Sequence, residues 1–247
     1  MNFQEFDAAF EQMFVLNELP LQLQGNQRKQ LFEAMNIILE KNKVMNLTAI
    51  CSEGEFIARH WVDALTAVGC IPQGASLLDV GTGGGILAIA YAVARPDIKV
   101  LAMDSTAKKT DFVCECAEKI GLGNLKVVSG RAEELSKDKK YRESFDIVTA
   151  RAVAAMPVLS ELCLPFAKVG GVFCALKGKN GADELAQAAE AIKKLGGRLK
   201  EDKFVSLREI SGGDVISSDR HLLIIEKISK TPEIYPRRYA QITKSPL

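Results

Sequence analysis

The residues best suited to chemistry lie in one short stretch, where an acid precedes three glycines at alternate positions. Asp79 ends an apolar run, and Gly81, Gly83 and Gly85 follow it. Glycines let the backbone turn sharply and approach a ligand closely. The apolar segment that begins at Ile86 predicts a helix, and the first N–H groups of a helix are free to bind a ligand. The order strand, turn and helix predicts a site for a nucleotide-like cofactor.

The glycine spacing separates two kinds of nucleotide site. Dinucleotide-binding loops carry glycines at the first, third and sixth positions, but the sixth position counted from Gly81 is Ile86. The D-x-G-x-G-x-G arrangement resembles motif I of the class I S-adenosylmethionine-dependent methyltransferases, in which the acid faces the methionine end of the cofactor. A pyrophosphate gains nothing from a carboxylate so close to it. A nicotinamide site is therefore the weaker alternative, and an ordinary tight turn is the other.

A second acid lies at the distance that such a site requires. Asp104, with Ser105 beside it, ends the next predicted strand about 20 residues after the glycines, where Rossmann-like sites place a carboxylate on the ribose hydroxyls. The alternative is that Asp104 caps the helix predicted from near Ala107, a role that Asp fills well. The two roles can coexist.

Two further strand ends supply candidate residues. In enzymes of this kind the loop after the third strand passes the adenine, so Ala132 and Glu133 are expected to contact its ring and amino group. The alternative for Glu133 is a solvated acid at a helix start. Arg151 follows the fourth predicted strand. Ligands bind at the carboxyl ends of strands in open α/β sheets, which favours a place in the cleft over a surface ion pair.

The elements that must position these residues follow from hydrophobic periodicity. Apolar residues at helical spacing predict three helices, near 3–17, 26–43 and 53–69. From residue 75 onward, predicted strands and helices alternate. The strands are 76–80, 98–103, 125–129, 145–150, 171–176, 202–207 and 220–227, and the helices are 85–95, 106–120, 131–136, 154–167 and 181–195.

This alternation predicts an α/β, Rossmann-like fold with a seven-stranded, mostly parallel sheet and one antiparallel strand. Residues 1–72 are predicted to form an N-terminal helical cap, residues 73–229 the cofactor-binding methyltransferase domain, and residues 230–247 a basic C-terminal tail.

Composition excludes several classes of protein. The chain has 247 residues, 47% of them apolar, and a net charge of +1, so a nucleic-acid partner must be met by a local patch. The N-terminus lacks the pattern of a secretory signal, and no apolar run reaches the roughly 18–20 residues of a membrane span. Six scattered cysteines and two histidines make a metal site unexpected. We expect a cytoplasmic protein with reduced thiols; the oligomeric state is not readable.

Several blocks outside the glycine loop resemble one family. They are residues 46–48, 59–65, 104–105 with 108–109, 131–134, 150–153, 176–178 and 235–238. Over nearly its whole length the chain resembles the RsmG (glucose-inhibited division protein B) family of bacterial small-subunit ribosomal RNA guanine-N7 methyltransferases. The chain departs from the family pattern at Leu87-Ala88, where a Pro-Gly pair is common, and at Ala240 and Ile242, where Gly and Pro are usual. These changes affect the expected local loop shape rather than the reaction.

The resemblance implies that S-adenosylmethionine donates a methyl group to N7 of one guanosine in 16S ribosomal RNA, alone or in the small subunit. Its cofactor contacts would fall on Gly81, Ile86, Ala132, Glu133 and Arg151. Guanine N7 carries a lone pair and no proton, so the reaction needs no general base.

Four residues are therefore candidates for positioning in the active site rather than for proton transfer. Arg151 would position cofactor and substrate, while Asn46, His60 and Asp63 of the cap would line the mouth of the site. The alternative for His60 and Asp63 is a buried hydrogen-bonded pair on one helix.

RNA would be held by cations and stacking rings. The tail carries four basic residues against one acid, interleaved with Tyr235 and Tyr239. The candidates for RNA contact are Lys108, Lys109, Lys177, Arg237, Arg238 and Lys244. Prolines predict that the tail is extended and orders on binding. The alternative is an ordinary solvated surface. A small-molecule methyltransferase and a non-enzymatic RNA-binding module are the rival functions.

Overall fold

A seven-stranded sheet forms the centre of the computed structural model, which describes residues 1–19 and 21–247. Its strands are β1 Ser76–Val80, β2 Lys99–Asp104, β3 Leu125–Ser129, β4 Phe145–Arg151, β5 Ala167–Lys177, β6 Gly197–Ser211 and β7 Asp214–Lys227. The spatial order is β3-β2-β1-β4-β5-β7-β6, and only β7 runs antiparallel to its neighbours. The predicted α/β fold with one antiparallel strand is confirmed.

Helices cover both faces of this sheet. In the sheet domain they are α5 Ile86–Ala94, α6 Ala107–Lys119, α7 Ala132–Leu135, α8 Met156–Cys163 and α9 Gly181–Lys194. One apolar core joins α5 and α6 to the N-terminal helices, and a second joins α8, α9 and the C-terminal tail. Helix α5 is apolar on all sides because it lies between the sheet and the N-terminal helices.

The N-terminal cap contains α1 Phe3–Leu16, α2 Gly25–Met45, and a third helix that is not regular. The sequence predicted one helix over 53–69. The structure has a short α3, Glu53–Phe56, then a wider π-helical turn, Ile57–Val62, then α4, Asp63–Leu65. Such turns often occur at functional sites. Here the π turn carries Arg59 and His60 and leads into Asp63.

Strands β6 and β7 form a longer hairpin than the predicted 202–207 and 220–227. Gly212 and Gly213 connect them with positive φ angles of 61° and 91°, which suits a two-residue hairpin turn. Pairing of β7 with β5 stops at Lys177 and His221. The rest of the hairpin therefore extends past the edge where the parallel strands end. This extended part contacts the π turn, where Arg59 pairs with Glu209.

The C-terminal tail differs from the extended segment that its prolines predicted. It ends in a short helix, α10 Tyr239–Lys244, in which Ile242 is fully buried. Arg142 donates hydrogen bonds to the carbonyls of Thr231 (2.9 Å) and Tyr235 (3.0 Å). These bonds and the burial of Ile242 in the second apolar core hold the tail against the sheet domain.

Among the residues that the structure describes, no helix has the length and apolar character of a membrane span. Within the same residues, no group of three or more His, Cys, Asp or Glu is arranged to hold a metal ion. The six cysteines have free thiols, and burial raises the pKa of Cys116 to about 12.

Candidate functional site

A cleft of about 750 Å³ lies at the carboxyl ends of β1 to β4. It brings together most of the residues that the sequence nominated for a cofactor. Asp79, Gly81, Gly83, Ile86, Asp104, Ser105, Ala132, Glu133 and Arg151 all line it. We call the part lined by Thr48, His60, Asp79 and Arg151 the cap end, and the part lined by Arg131, Ala132, Glu133, Leu162 and Tyr239 the tail end.

The glycine loop lines the cleft with its backbone, and two of its positions have no room for a side chain. Gly81 has φ +70°, and a Cβ there would lie 2.6 Å from Cγ2 of Val153. Gly85 has φ +81° and begins α5; a Cβ there would lie 2.9 Å from the side chain of Val113. Gly85 packs against the protein and is not among the residues that line the cleft.

Asp104 connects the glycine loop to the start of α6. Its Oδ2 accepts a hydrogen bond from the Gly83 amide at 3.0 Å, and its Oδ1 accepts one from the Thr106 amide at 2.9 Å. The residue that caps α6 is Thr106, so Asp104 fixes the turn before the helix and is not the cap itself. The carboxylate is held in one orientation at the edge of the cleft.

Asp79 is a buried carboxylate with one unpartnered oxygen. Its side chain is 1% exposed, and the Thr149 hydroxyl donates to Oδ1 at 3.1 Å, while Oδ2 makes no hydrogen bond of normal geometry. The Thr82 hydroxyl and the Ala88 amide lie near the carboxyl and lower its pKa, but burial has the larger effect. Burial raises the pKa of Asp79 to about 6. An unpaired buried carboxylate is unfavourable unless a ligand satisfies it. Because Asp79 lines the cleft, the geometry favours a ligand with a cationic group here.

Arg151 stands at the centre of a charged cluster at the cap end. Its Nη1 donates to Asp63 Oδ2 at 2.6 Å and to the Arg59 carbonyl at 3.4 Å, and its Nη2 lies 3.5 Å from His60 Nδ1. The other oxygen of Asp63 accepts from Arg220 Nε at 3.0 Å. Asp63 thus joins two arginines and lies behind the cleft, and it does not form the alternative pair with His60.

His60 is neutral and connects the cap to the cleft. Its Nε2 lies 2.7 Å from the Thr48 hydroxyl, and its Nδ1 lies 3.2 Å from the Arg59 carbonyl. Burial and the nearby charge of Arg151 lower the pKa of His60 to about 3. A proton on Nδ1 satisfies the carbonyl and leaves Nε2 to accept from Thr48. His60 therefore holds the loop of residues 47–50 beside the cleft.

The loop that follows α2 depends on two asparagines. Asn46 ends α2 in the left-handed conformation (φ 50°, ψ 58°), is exposed, and is not among the residues that line the cleft. Asn42 was not nominated from the sequence. Its Oδ1 accepts from the amides of Leu47 (2.7 Å) and Thr48 (2.9 Å). Asn tolerates left-handed backbone and bonds to nearby amides, so two asparagines at a helix end were an available signal.

The tail end contains a buried acid and an aromatic ring. Glu133 is 7% exposed and lies 3.5 Å from Nη1 of Arg131, so it is not the solvated acid of the alternative interpretation. The Arg131 guanidinium lies 5.5 Å from the centre of the Tyr239 ring. Tyr239 lines the same cleft. The sequence suggested it only as a stacking residue for RNA.

Two of the residues predicted to contact RNA instead form ion pairs within the protein. Lys177 donates to the Ala154 carbonyl at 2.9 Å and pairs with Glu184 at 2.6 Å, and its side chain is 10% exposed. Arg237 pairs with the fully buried Glu161 through Nη2 at 2.6 Å. Each cation is already paired with an acid of the protein, so a phosphate would have to compete with Glu184 or Glu161 for it. The structure therefore does not support these two RNA contacts.

The remaining predicted RNA contacts are one cation of the cleft and three surface cations. Lys109 lines the cleft itself. Lys108, Arg238 and Lys244 are exposed. They stay predictions.

Comparison with known proteins gives one consistent family. The family described as "GidB: rRNA small subunit methyltransferase G" matches residues 27–210. A Pelotomaculum thermopropionicum protein named ribosomal RNA small subunit methyltransferase G is 41% identical over 232 residues, which is 93% of this chain and 95% of that protein. A Brevibacillus brevis protein of the same name is 40% identical and covers 94% of this chain and 96% of its own length.

A solved structure supports the fold. The SAM dependent methyltransferase from Aquifex aeolicus superposes with a TM-score of 0.51 at 17% identity, covering 76% of this chain and 97% of that one. At this identity the likeness shows a shared fold.

Proposed function

The chain belongs to the ribosomal RNA small subunit methyltransferase G family, and from this premise we propose that it transfers a methyl group from S-adenosylmethionine to N7 of one guanosine in 16S ribosomal RNA. The observation that supports the cofactor best is the unpartnered Oδ2 of Asp79. S-adenosylmethionine carries an ammonium group that such an oxygen would bind.

The other residues of the cleft fit the rest of this cofactor. Asp104, held by two amides at the end of β2, would accept hydrogen bonds from the ribose hydroxyls. Ala132 and Glu133 would contact the adenine ring and its amino group. The backbone at Gly81 and Ile86 would lie along the cofactor, and Arg151 would contact it at the cap end of the cleft. Gly83 and Ser105 complete the set that we assign to cofactor binding. Gly85, which the sequence nominated with them, does not line the cleft and serves the site by letting the turn before α5 pack against Val113.

When bound, the cofactor supplies a methyl group on a sulfonium centre. The residues of the protein then have to position the guanine and exclude water, since N7 carries no proton to remove. His60 is a weak base, because burial lowers its pKa to about 3, and both of its ring nitrogens are engaged by Thr48 and the Arg59 carbonyl. Arg151 is a guanidinium paired with Asp63, so neither side chain is arranged to accept a proton from the substrate. Positioning of this kind is worth roughly 7–11 kcal/mol in well-oriented reactions.

RNA binding is proposed for four cations, of which Lys109 lines the cleft and the other three are exposed. Lys108, Lys109, Arg238 and Lys244 would contact phosphates, which gives salt-dependent affinity without base specificity. Asn46 and the loop after it would lie beside the entering nucleotide. With ribosomal RNA as the substrate, the site of action would be the cytoplasm.

The decisive experiment maps methyl groups on 16S ribosomal RNA from cells that lack the protein. We expect the loss of one 7-methylguanosine, restored by the intact chain and by Gly123→Asp but not by Gly81→Asp. Gly81 has positive φ and a crowded Cβ position, whereas no other atom lies within 4 Å of the Cβ position of Gly123. If every methyl mark remains in the deletion strain, the proposed substrate is wrong.

A further inference from the structure

Tyr239 is placed where a flat ligand group could rest against it. It lines the cleft together with Ala132 and Glu133, and 42% of its surface is exposed. The Arg131 guanidinium lies 5.5 Å from the ring centre, within the range of a cation–π contact. One neighbour of the ring is thus fixed, and part of the ring remains open to the cleft.

The protein holds this ring firmly. Two residues before it, the Arg237 amide donates to Glu161 Oε1 at 2.8 Å, and its Nε donates to the same oxygen at 3.0 Å. Glu161 is fully buried on α8, and Ile242 on the next turn of the tail is also fully buried. The backbone on both sides of Tyr239 is therefore anchored to the protein, and the tail forms one wall of the cleft.

The position along the sheet favours the adenine as the group that meets this wall. Tyr239 and Arg131 lie at the tail end, beside the loop that follows β3, whereas Arg151 and Asp79 lie at the cap end after β4 and β1. Asp104, after β2, lies between the two ends. A ligand whose ribose meets Asp104 and whose cationic group meets Asp79 places its base toward Tyr239.

We propose that Tyr239 contacts the adenine of the cofactor, so that the C-terminal tail forms one wall of the cofactor site. This inference rests on the proposed use of S-adenosylmethionine. Stacking of a base on an aromatic side chain is commonly worth a tenfold or larger change in affinity. Tyr239 would then fix the base end of the cofactor, while the cap fixes the reacting end.

The test is calorimetry of the full chain with two ligands, S-adenosylhomocysteine and 5′-methylthioadenosine. The second ligand keeps the adenosine half and lacks the amino-acid half. We expect Tyr239→Ala to weaken both ligands about tenfold, and Tyr239→Phe to keep both affinities within about twofold because the ring is retained. Asp79→Asn should weaken only S-adenosylhomocysteine. Glu233→Ala, an exposed change in the same tail, should leave both unchanged.

The outcomes separate this inference from the proposed function. If the natural chain binds neither ligand, the proposed cofactor is wrong. If it binds both, and Tyr239→Ala binds them equally well, the inference is overturned while the proposed function stands. The same holds if Tyr239→Ala weakens only ribosomal RNA binding, because the ring then meets an RNA base. Should Tyr239→Ala fail to fold, Tyr239→Leu decides, because it keeps an apolar side chain and removes the ring: a several-fold loss for both ligands supports the inference, and unchanged affinity contradicts it.

Discussion

At the cap end of the cleft, charged side chains are paired with one another inside the protein, whereas at the tail end a ring and several cations remain partly exposed. Asp63 holds Arg151 and Arg220 with one oxygen each. At the other end, Tyr239 is 42% exposed and Arg238 is exposed. The charged side chains of the cap end are already held in place by one another. At the tail end, Tyr239 and Arg238 still have exposed surface that can contact a ligand. The difference shows that a charged residue near a cleft can be assigned to ligand binding only when it is known whether another side chain already pairs with it.

The sharpest form of this comparison is between two adjacent arginines of the tail. Arg237→Ala would leave the fully buried Glu161 without its partner, so we expect the free energy of unfolding to fall by about 3–5 kcal/mol. Arg238→Ala removes an exposed side chain and should change it by less than about 0.5 kcal/mol. Urea unfolding of the two variants measures both values. Equal losses would mean that the buried pair does not anchor the tail.

The buried carboxylate of the cap end should show opposite effects on binding and stability. Burial raises the pKa of Asp79 to about 6 from an ordinary value of 3.8, so between these values the folded chain holds a proton that the unfolded chain has released. The free energy of unfolding then falls as pH rises through this window, and at pH 7 the ionised group is a cost.

Asp79→Asn should therefore raise the free energy of unfolding at pH 7 by up to about 3 kcal/mol and weaken S-adenosylhomocysteine at least tenfold. Calorimetry and urea unfolding report the two effects. The matched variant Asp104→Asn should lose both affinity and stability, because its carboxylate accepts two backbone hydrogen bonds. A stabilised Asp104→Asn, or a destabilised Asp79→Asn, would contradict the assignment.

The Asp79 carboxylate should also make the affinity for S-adenosylhomocysteine depend on pH. As pH falls through about 6, Asp79 takes up a proton and S-adenosylhomocysteine should bind more weakly. His60 contributes nothing over pH 5–8, because burial and Arg151 lower its pKa to about 3. Calorimetry across this range should show the transition in the natural chain and not in Asp79→Asn. A transition that persists in the variant would point to another group.

The smallest expected effect compares two lysines that the sequence treated alike. Lys108→Ala removes an exposed cation and should lower ribosomal RNA affinity a few-fold, with the slope of log affinity against log salt reduced by roughly 0.7–0.9. Lys177→Ala removes a cation that pairs with Glu184, so it should lower stability and leave the salt slope unchanged. Filter binding at several salt concentrations distinguishes them, and a changed slope for Lys177→Ala would return that residue to the RNA-contacting set.

The sequence predicted well which residues lie at the strand ends, and it predicted poorly which charged side chains pair with one another. Gly81, Asp104 and Arg151 could be placed because residue type and position after a strand determine where they face. The pairs of Asp63 with Arg220 and of Arg59 with Glu209 depend on the register of β7 against β5 and β6, which periodicity does not contain. The residues at the strand ends were therefore predictable from the sequence, while the ion pairs of the hairpin with the cap could be identified only from the structure.

Some signals were present and others were absent. Gly212-Gly213 between two alternating segments is a recognisable hairpin turn and would have lengthened both predicted strands. Glu161, a lone acid in the apolar segment of α8, indicated a buried partner for some cation. The π turn had no comparable signal, because apolar spacing does not reveal one extra residue in a helical turn. A run of positive charge likewise cannot show which cations are held from within.

The long hairpin of β6 and β7 joins early and late parts of the chain. Asp63 and Arg220 are 157 positions apart, and Arg59 and Glu209 are 150 apart. Such distant pairings form slowly, since a large loop must close before either contact forms. During synthesis, the segment that carries Asp63 leaves the ribosome long before its partner does. A newly made molecule would therefore mature in two stages, with its cap end assembled only after β7 has left the ribosome.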